Sequence, residues 1–361
     1  MASLFLNEKL DGEETGMKRL YGKTLTLAIL VAIMAGPLQV QASNWDEWSR
    51  YDHGGESDNN KQLNIDEDTT VPHLAGGYAG VSEDGYYTGH VRNDSVSITN
   101  GTVKITGGKE PYSAQFWGGG VAGGAGRAEA YKNQVTVSGQ GKIIGDNYQP
   151  AVHGGIGTEA DYNSVSIKDN GALVNVGDVN GGCAYGMYTH YRTDYHAYHN
   201  KVDFESDGIS SIHGYICGGW AEKDSGENEV IFNNGTITLE GNIIGGHSNS
   251  SDTRSFKNSV FVGNKAELHM DGEIIGGDGD SSATQNQVVI ATDKPVTGTV
   301  AIMGGAGETS KHNLVSIQNS SIESGYYIAG GEGAIDCSKN TVILGGKATV
   351  SAPLPHAISK M

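Results

Sequence analysis

Charged residues are scarce in this sequence, and cationic side chains are the scarcer kind. Charged residues make up 18% of the 361 positions, and 24 Lys and Arg stand against 42 Asp and Glu, for a formal net charge of −18. So acidic a chain lacks the cationic surface that binds phosphate backbones and anionic lipid headgroups. The composition therefore argues against nucleic acid and anionic membranes as partners, and it suits a secreted, solvated protein.

Cysteine and short catalytic motifs are scarce too. The three cysteines are Cys183, Cys217 and Cys337, and an odd number leaves at least one thiol outside any intramolecular disulfide. The sequence contains no Gly-x-Ser-x-Gly elbow, paired Cys-x-x-Cys or His-Glu-x-x-His motif. Several common hydrolase and metal-site classes are therefore excluded, and we expect no catalytic residues, no cofactor and no metal.

The sequence also lacks an apolar run long enough to span a membrane. The run from Leu25 to Ala35 is about half the length of roughly 20 residues that a spanning helix needs. Basic residues after Met17 precede this run, and a small-residue cleavage site that ends at Ala42 follows it, which is the order of a secretory signal peptide. We predict that residues 1–42 are upstream residues plus a signal peptide, with the start at Met17 and cleavage after Ala42.

Glycine, in contrast, is abundant, with 55 residues, about twice the average usage. Many glycines form pairs that alternate along the chain with an Asn-x-Val-x-apolar pentad. We place the pentads at Asn93, Asn133, Asn163, Asn200, Asn228, Asn258, Asn286, Asn313 and Asn340. We place the Gly pairs that close the units at Gly76, Gly118, Gly154, Gly181, Gly218, Gly245, Gly276, Gly304 and Gly330. Self-similarity at a period of about 30 residues predicts a solenoid.

The pentads indicate which side chains face inward. Side chains alternate between the two faces of a strand, and the first, third and fifth positions hold Asn, Val and another apolar residue. Asn therefore faces inward beside the valine, where an unpaired amide would be costly. Amides that repeat in register can bond to their copies above and below. We predict that the pentad asparagines form a structural Asn ladder.

Each unit has room for three short strands separated by turns, which is one coil of a parallel β-helix. We predict an all-β fold, a right-handed parallel β-helix of about nine coils and roughly 43 Å in length. A propeller fits less well, because the C-terminal units are too short for four strands. The repeat domain is expected over 76–346, after an acidic flexible linker and N-terminal cap over 43–75 and before an incomplete last coil or tail over 347–361.

The longest insertion between a Gly pair and the next pentad is rich in tyrosine and histidine. It spans 183–199, and we predict a contact loop, because tyrosine supplies amphipathic contact area. Three histidines could also supply metal ligands, but their spacing matches no established zinc motif. The candidate contact residues are Tyr188, His190, Tyr191, Tyr195, His196, Tyr198 and His199.

Strand alternation predicts that the residue immediately before each Gly pair faces outward. In the C-terminal repeats this residue is apolar. The candidates for an apolar stripe are Ile244, Ile275, Met303 and Ala329. Stacked about 4.8 Å apart, they would mark an interaction surface if they were exposed. The alternative is that loops such as 247–257 fold over them, and the sequence leaves both interpretations open.

Cys183 and Cys217 fall near the same place in two successive repeats. In repeat register they lie three residues apart on neighbouring strands. That separation is about 10 Å, which exceeds the roughly 4.4–6.8 Å that a disulfide requires between Cα atoms. Because the insertion after Cys183 could fold back, their pairing stays open.

A basic leader followed by tandem Asn-x-Val-x-apolar and apolar-x-Gly-Gly units resembles the passenger regions of bacterial autotransporters, which use type V secretion. The resemblance covers roughly Leu74 to Gly346 and rests on the repeat pattern. It implies a Gram-negative protein at the cell surface, often an adhesin with a β-helical stalk. The family also implies an outer-membrane β-barrel, which this sequence lacks, so we expect a truncated gene or a barrel encoded separately.

Two functions follow as expectations. The first is a secreted or surface-displayed, non-catalytic passenger, a stalk or adhesin-like binding surface for a molecule on a host or neighbouring cell, with self-association as a further property. The alternative is a secreted polysaccharide-degrading β-helix enzyme that acts in an acidic groove. Such enzymes use carboxylate pairs on one coil face, whereas the acids here fall mainly in loops and at outward pentad positions. We therefore expect no enzymatic activity.

Overall fold

The computed structural model describes residues 58–71, 73–79, 89–106, 120–126, 128–145, 149–184 and 195–351. Every regular element within these ranges is a β-strand, and the strands pair in parallel. None of these residues forms a helix long and apolar enough to cross a membrane. The expected start at Met17, the cleavage site after Ala42 and the first part of the 43–75 linker lie outside the described residues.

Short strands that end just before each pentad stack into one sheet, which we call the ten-stranded sheet. Its strands are Asp58–Asn59, His90–Arg92, Glu129–Tyr131, Glu159–Asp161, His196–Tyr198, Asp224–Gly226, Arg254–Phe256, Ser282–Thr284, Thr309–Lys311 and Asp336–Ser338. Each strand is two or three residues long, so each coil contributes one narrow rung to this face.

A second sheet of 22 strands contains the pentads and the Gly pairs. Its pentad strands are Gln62–Ile65, Ser95–Ile98, Gln134–Val137, Ser164–Asp169, Lys201–Ile212, Glu229–Leu239, Ser259–Asn264, Gln287–Thr292, Leu314–Gln318 and Thr341–Gly345. The strands at the Gly pairs are Leu74–Ala79, Gly120–Gly126, Ala151–Gly157, Val179–Ala184, Ile216–Ala221, Ile243–Ser248, Gly272–Ile275 and Asp278–Gly279. The remaining strands are Glu267–Met270, Val296–Met303, Ser321–Ala329 and Thr349–Ser351.

A third sheet holds the middle segments of the N-terminal coils. Its four strands are Thr69–Val71, Thr102–Ile105, Lys142–Gly145 and Ala172–Val174. In later coils the middle segment joins the 22-stranded sheet instead, because the pentad strand runs on through it, as in Lys201–Ile212. A coil therefore runs from a pentad strand through a middle strand and a Gly-pair strand to the ten-stranded sheet.

The pairing register places equivalent repeat positions on top of one another. Val260 of one pentad pairs with Val288 of the next, and the other pentad strands follow the same rule. One sequence repeat is thus one coil, and the predicted all-β parallel β-helix is confirmed. The register already includes Gln62–Ile65, which pairs with Ser95–Ile98, so coil structure begins before residue 76.

One continuous hydrophobic core runs along the inside of the coils. The third and fifth pentad positions and the residue two places before each Gly pair contribute to it. Val260, Val262 and Ile274 show the pattern, since each is 0% exposed. Two neighbouring coils fill the core with aromatic rings, because Phe204 and Phe232 stack with their centroids 5.2 Å apart.

The inner columns continue into the last described pentad strand, where they become open to solvent. Val342 and Leu344 follow Val315 and Ile317 in register. The exposed fraction is 0% at Val315 and Ile317, but it is 42% at Val342 and 56% at Leu344. After this strand, Thr349–Ser351 pairs with the preceding coil.

Asparagine side chains form a continuous ladder through the coils. The Oδ1 of Asn258 accepts the backbone N–H of Asn228 at 3.0 Å and its Nδ2–H at 3.0 Å, while Asn258 Nδ2 donates to the carbonyl of Ser225 at 3.1 Å. Each carboxamide therefore joins neighbouring coils. The ladder members are Asn133, Asn163, Asn200, Asn228, Asn258, Asn286, Asn313 and Asn340.

Asn93 is not a member of the ladder, which corrects the sequence expectation by one residue. Asp94 occupies the position instead: its N–H donates to Asn133 Oδ1 at 2.9 Å, and its carboxylate accepts the N–H of Lys61 at 2.8 Å. Two residues separate Asn93 from Val96, where the other repeats have one. Asn93 is consequently exposed, with a left-handed backbone φ of 57°.

The Gly pairs allow the backbones of neighbouring coils to approach each other closely. A Cβ on Gly245 would lie 2.2 Å from the carbonyl oxygen of Gly276 in the next coil. A Cβ on Gly246 would lie 2.3 Å from Oδ1 of the ladder residue Asn258. Glycine is required at both positions because any side chain would push the coils or the ladder apart.

One Gly pair differs from the sequence assignment. Leu74 pairs with Val121, and Gly77 pairs with Gly124, so the pair that follows Gly76 in the stack is Gly123-Gly124. The expected pair at Gly118 lies outside the described residues. The segment from 118 to 126 holds several adjacent glycines, and the repeat pattern alone does not show which two of them form the stacked pair.

The expected apolar stripe packs into a second hydrophobic cluster and is not an exposed surface. Ile244, Ile275 and Met303 are 5%, 2% and 3% exposed, and Ala329 is half-buried against the same cluster. Residues that follow the Gly pairs, such as Trp220, belong to this cluster as well. The side chains before and after the Gly pairs therefore cover one another.

His153 is a polar member of the column that holds the stripe. It is 5% exposed, and Asn180 Nδ2 donates to its Nδ1 at 3.3 Å. Burial disfavours the imidazolium, and it lowers the pKa of His153 to about 4. The side chain is therefore neutral at pH 7, with Nδ1 as the acceptor.

The ladder should carry measurable stability. We expect Asn258→Ala to lower the free energy of unfolding by about 1–3 kcal/mol, because Asn228 loses the acceptor for its buried N–H groups. Ser259→Ala, on the adjacent outward position, should cost less than about 0.5 kcal/mol. Urea titration of the two variants tests this, and equal losses would show that the ladder does not hold the coils.

Burial of His153 should make stability depend on pH. The folded pKa lies below the unfolded value of 6.5, so the unfolded chain binds more protons in this window and stability falls as pH drops from 6.5 to 4. At about 1.36 kcal/mol per pKa unit, the loss approaches about 3 kcal/mol. His153→Asn should remove it.

Urea midpoints at pH 7 and pH 4.5 provide the measurement for His153. His312→Asn is the control, because His312 is an exposed histidine in the same fold and should leave the pH dependence of the chain unchanged. If His153→Asn and the unmodified chain lose the same stability between the two pH values, the buried imidazole is not the cause.

Candidate binding surface

Side chains project outward at one corner of the coils, directly before the ladder position. This corner column consists of Asn93, Lys132, Tyr162, His199, Glu227, Lys257, Gln285, His312 and Lys339, with φ between 53° and 59°. The left-handed region is unfavourable for residues that carry a Cβ. The chain adopts it here in coil after coil, and each corner residue is followed by a ladder residue whose hydrogen bonds fix the backbone.

The ten-stranded sheet beside this corner has a small residue in the middle of its strands, three positions before the ladder residue. These residues are Val91, Ala130, Ala160, Ala197, Ser225, Ser255, Ala283 and Ser310, each 0% exposed. The hydroxyl of Ser225 accepts a hydrogen from Asn228 Nδ2 at 3.0 Å and donates to the carbonyl of Gly219 at 2.9 Å. The sequence analysis missed this column, which a small-x-x-Asn spacing would have located.

The outward residues of this sheet and the corner column together form an aromatic surface. It consists of Tyr131, Tyr162, His196, Tyr198, His199 and Phe256. Tyr162 stacks on His199 with ring centroids 4.5 Å apart, and it meets Tyr131 edge-on at 5.4 Å. His196 stacks on Tyr198 at 4.5 Å. Tyr162 remains 46% exposed and His199 is exposed too, so aromatic area faces solvent on two adjacent coils.

Phe256 extends the aromatic surface across one coil. A Cβ on Gly226 would lie 2.4 Å from the ring of Phe256, so the ring lies directly over this glycine. From there it approaches Tyr198, with a centroid distance of 5.8 Å. The absence of a side chain at Gly226 therefore lets rings from two non-adjacent coils meet.

Ion pairs between successive coils hold the same surface together. His196 lies 3.3 Å from Asp161, and His199 lies 3.4 Å from Glu227. Lys257 donates to Glu227 at 3.0 Å and holds the pKa of that carboxyl below its usual value. Surface pairs of this kind add little stability, but they fix the orientation of the two histidine rings.

The structure places the predicted contact residues in different settings. Tyr188, His190 and Tyr191 lie outside the described residues, and Tyr195 is buried at 8% exposure. His196 and Tyr198 belong to a strand of the ten-stranded sheet, and His199 is a corner residue. The end of the expected loop is thus a regular rung, because Ala197 fills the small-residue position and Asn200 the ladder position.

The two described histidines of this surface are each paired with a carboxylate, and His190 lies outside the described residues. Within the described ranges, no group of three or more His, Cys, Asp or Glu side chains could hold a metal ion. His196 and His199 are instead each paired with a carboxylate of a neighbouring coil. Their imidazoles act here as ring surfaces and hydrogen-bonding groups.

A group of carboxylates on the C-terminal coils bears on the enzyme alternative. Burial raises the pKa of Glu273, and the charges of Asp278 and Glu332 raise it further. Tyr327 O–H donates to Glu332 at 2.6 Å, and His247 Nδ1 lies 2.9 Å from Asp278. A carboxyl with a raised pKa beside other carboxyl groups is the arrangement that acid catalysis of glycoside hydrolysis uses.

Two of the three thiols are buried. Cys183 and Cys217 are both buried in the second cluster, and burial raises the pKa of each thiol well above its ordinary value. Cys217 pairs in register with Asn180, three residues before Cys183, and both sulfurs are free. Cys337 is exposed and free in the last coil.

No protein-family model matches the chain, and no curated protein matches it either. Among solved structures, the crystal structure of a TibC-catalysed hyper-glycosylated TibA fragment aligns over 82% of this chain and 99% of that chain, with 12% sequence identity and a TM-score of 0.14. A TM-score this low does not indicate a shared fold. The parallel β-helix is shown by the strand register described above.

Proposed function

We propose that this chain is a surface-displayed, non-catalytic β-helical passenger of the autotransporter type, which binds a molecule on a host or neighbouring cell. The aromatic surface is the observation that supports a binding role. The rings of Tyr162 and His199 are stacked on each other and Tyr162 stays exposed, and tyrosine is enriched where proteins contact partners. The ladder and the small-residue column provide the rigid support that a binding site needs.

Preorganisation strengthens the case for binding over a purely structural stalk. The rings of Tyr162 and His199 are stacked on each other, and the imidazole of His199 is also held by Glu227. A partner would therefore meet side chains that have already lost their rotamer freedom, which lowers the entropic cost of association. A stalk would need the coils but not this concentration of rings on one face.

Secretion is consistent with the thiols and the leader. The buried, free Cys183 and Cys217 have little thiolate, because their pKa values are raised, and thiolate is the reactive form. Such residues tolerate an oxidising compartment. The basic and apolar segment between Met17 and Ala42 has the order of a signal peptide, and it supports export to the cell surface.

The binding role is tested with variants at left-handed corner positions. Tyr162→Asn with His199→Asn removes the stacked rings, while asparagine tolerates the left-handed backbone. Binding of the labelled chain to cultured mammalian and bacterial cells, measured by flow cytometry, should weaken at least about tenfold, as expected for the loss of a central aromatic contact.

His312→Asn is the matched control for this experiment. It lies in the same corner column, outside the aromatic surface, and should bind as the unmodified chain does. If the unmodified chain binds no cell type in a saturable way, or if the control loses as much binding as the double variant, the aromatic surface is not a receptor-binding site.

The enzyme alternative rests on Glu273 and Glu332, and it is tested separately. We expect the purified chain to release no reducing sugar from a panel of bacterial and host polysaccharides. Turnover that is abolished by Glu273→Gln, with unfolding midpoints unchanged, would replace the non-catalytic proposal with the polysaccharide-degrading one.

A further inference from the structure

The ring of Phe256 lies flat over Gly226 of the preceding coil. The two residues pair in register, and a Cβ on Gly226 would lie 2.4 Å from Cζ of Phe256, 2.6 Å from Cε2 and 2.9 Å from Cε1. Because the three distances are similar, the Cβ would meet the face of the ring; at the edge of the ring, both Cε atoms would be much farther away than Cζ. Phe256 is half-buried, and its second face points away from the sheet. Tyr198 stands beside this face, with its centroid 5.8 Å away and its plane tilted by 55°.

Polar side chains border this aromatic floor on two sides. Arg254 and Lys257 flank the ring along the chain, and each is paired with a carboxylate of the preceding coil. Arg254 donates to Asp224 on one side. On the other side, Lys257 donates to Glu227 at 3.0 Å, and His199 lies 3.4 Å from the same carboxylate. The two rims therefore offer hydrogen-bond donors and acceptors with opposite charges balanced, on a chain whose net charge is −18.

We propose that the aromatic floor binds a pyranose ring of a cell-surface glycan. The inference rests on the binding role proposed above and names the ligand class. A pyranose is a disc with apolar faces of C–H groups and a circumference of hydroxyls. Its face would lie on Phe256, because the negative π face of the ring attracts polarised C–H groups. Its hydroxyls would donate to the rim carboxylates and accept from the rim cations.

Other ligands that seek aromatic rings fit this site less well. A quaternary ammonium would gain from the ring face, but Arg254 and Lys257 beside the ring would repel it. A nucleobase has flat faces and a polar edge, but its phosphates would approach a chain of net charge −18. A protein partner typically buries about 800 Å² on each side, whereas the floor and its rims span three coils, about 10 Å along the axis.

The glycan is tested on the cells to which the chain binds. Mild periodate oxidation, which cleaves the vicinal diols of sugars, should lower binding of the labelled chain at least about tenfold in flow cytometry. Cells treated with periodate that has been quenched with glycerol are the control. Saturable binding that periodate leaves unchanged would overturn the glycan and leave the receptor-binding proposal standing. A chain that binds no cell in a saturable way would overturn both.

The floor itself is tested with Gly226→Ala, which keeps the aromatic rings but places a methyl group beneath Phe256 and lifts it from the sheet. Periodate-sensitive binding should fall at least about tenfold. Gly263→Ala is the matched control, because a Cβ there would lie 2.3 Å from the ring of Phe261, on the 22-stranded sheet. It should bind within about twofold of the unmodified chain.

Phe256→Leu provides a second variant that does not depend on how the coil accommodates an alanine. It keeps an apolar side chain and removes the flat face, so it should lose as much binding as Gly226→Ala. Unfolding midpoints in urea verify that the variants remain folded. Equal losses in Gly226→Ala and Gly263→Ala, or full binding by Phe256→Leu, would overturn the proposal.

Discussion

The carboxamide ladder is the interaction on which the rest of the structure depends. Asn258 shows how a ladder Asn joins its coil to both neighbours. Its oxygen accepts two N–H groups of Asn228 and its nitrogen donates to the carbonyl of Ser225, both in the preceding coil, while its backbone and side-chain N–H groups donate to Asn286 Oδ1 in the following coil. A buried amide is tolerated only because every such bond is made. The Gly pairs follow from it, since a side chain at Gly246 would occupy the space of Asn258 Oδ1. The left-handed corner precedes it in each coil, and the corner residues point outward as a result.

The sequence predicted those parts of the fold that depend on local alternation. Period-two alternation identified the inner columns, and the repeat spacing identified coils and their parallel stacking. It failed where one residue decides the register: the extra residue before Val96 moved the ladder from Asn93 to Asp94. The prediction of the Gly pair between residues 118 and 126 failed for the same reason. Adjacent glycines look equivalent in a sequence pattern, but each pairs with a different residue in the sheet.

The outward residues could not be assigned from alternation alone. Ile244 faces away from the inner core, as alternation requires, yet it is buried because side chains on the far side of the Gly pair pack against it. The ring contacts that connect different coils of the aromatic surface join residues 30 or more positions apart, such as Tyr162 and His199. Such contacts depend on the exact pairing register of neighbouring coils, which the repeat pattern alone does not determine. The richness in tyrosine and histidine was visible in the sequence, whereas its placement on a regular rung was not.

A repetitive core also has consequences for its ends. Ile317 and Leu344 occupy equivalent positions in adjacent coils, yet one is 0% exposed and the other 56%, because among the described coils only Ile317 has one stacked on each side. Burial in this fold is therefore a property of the neighbouring coil more than of the residue. In a globular domain the core closes on itself, whereas in a solenoid each coil is covered by its neighbours in the stack.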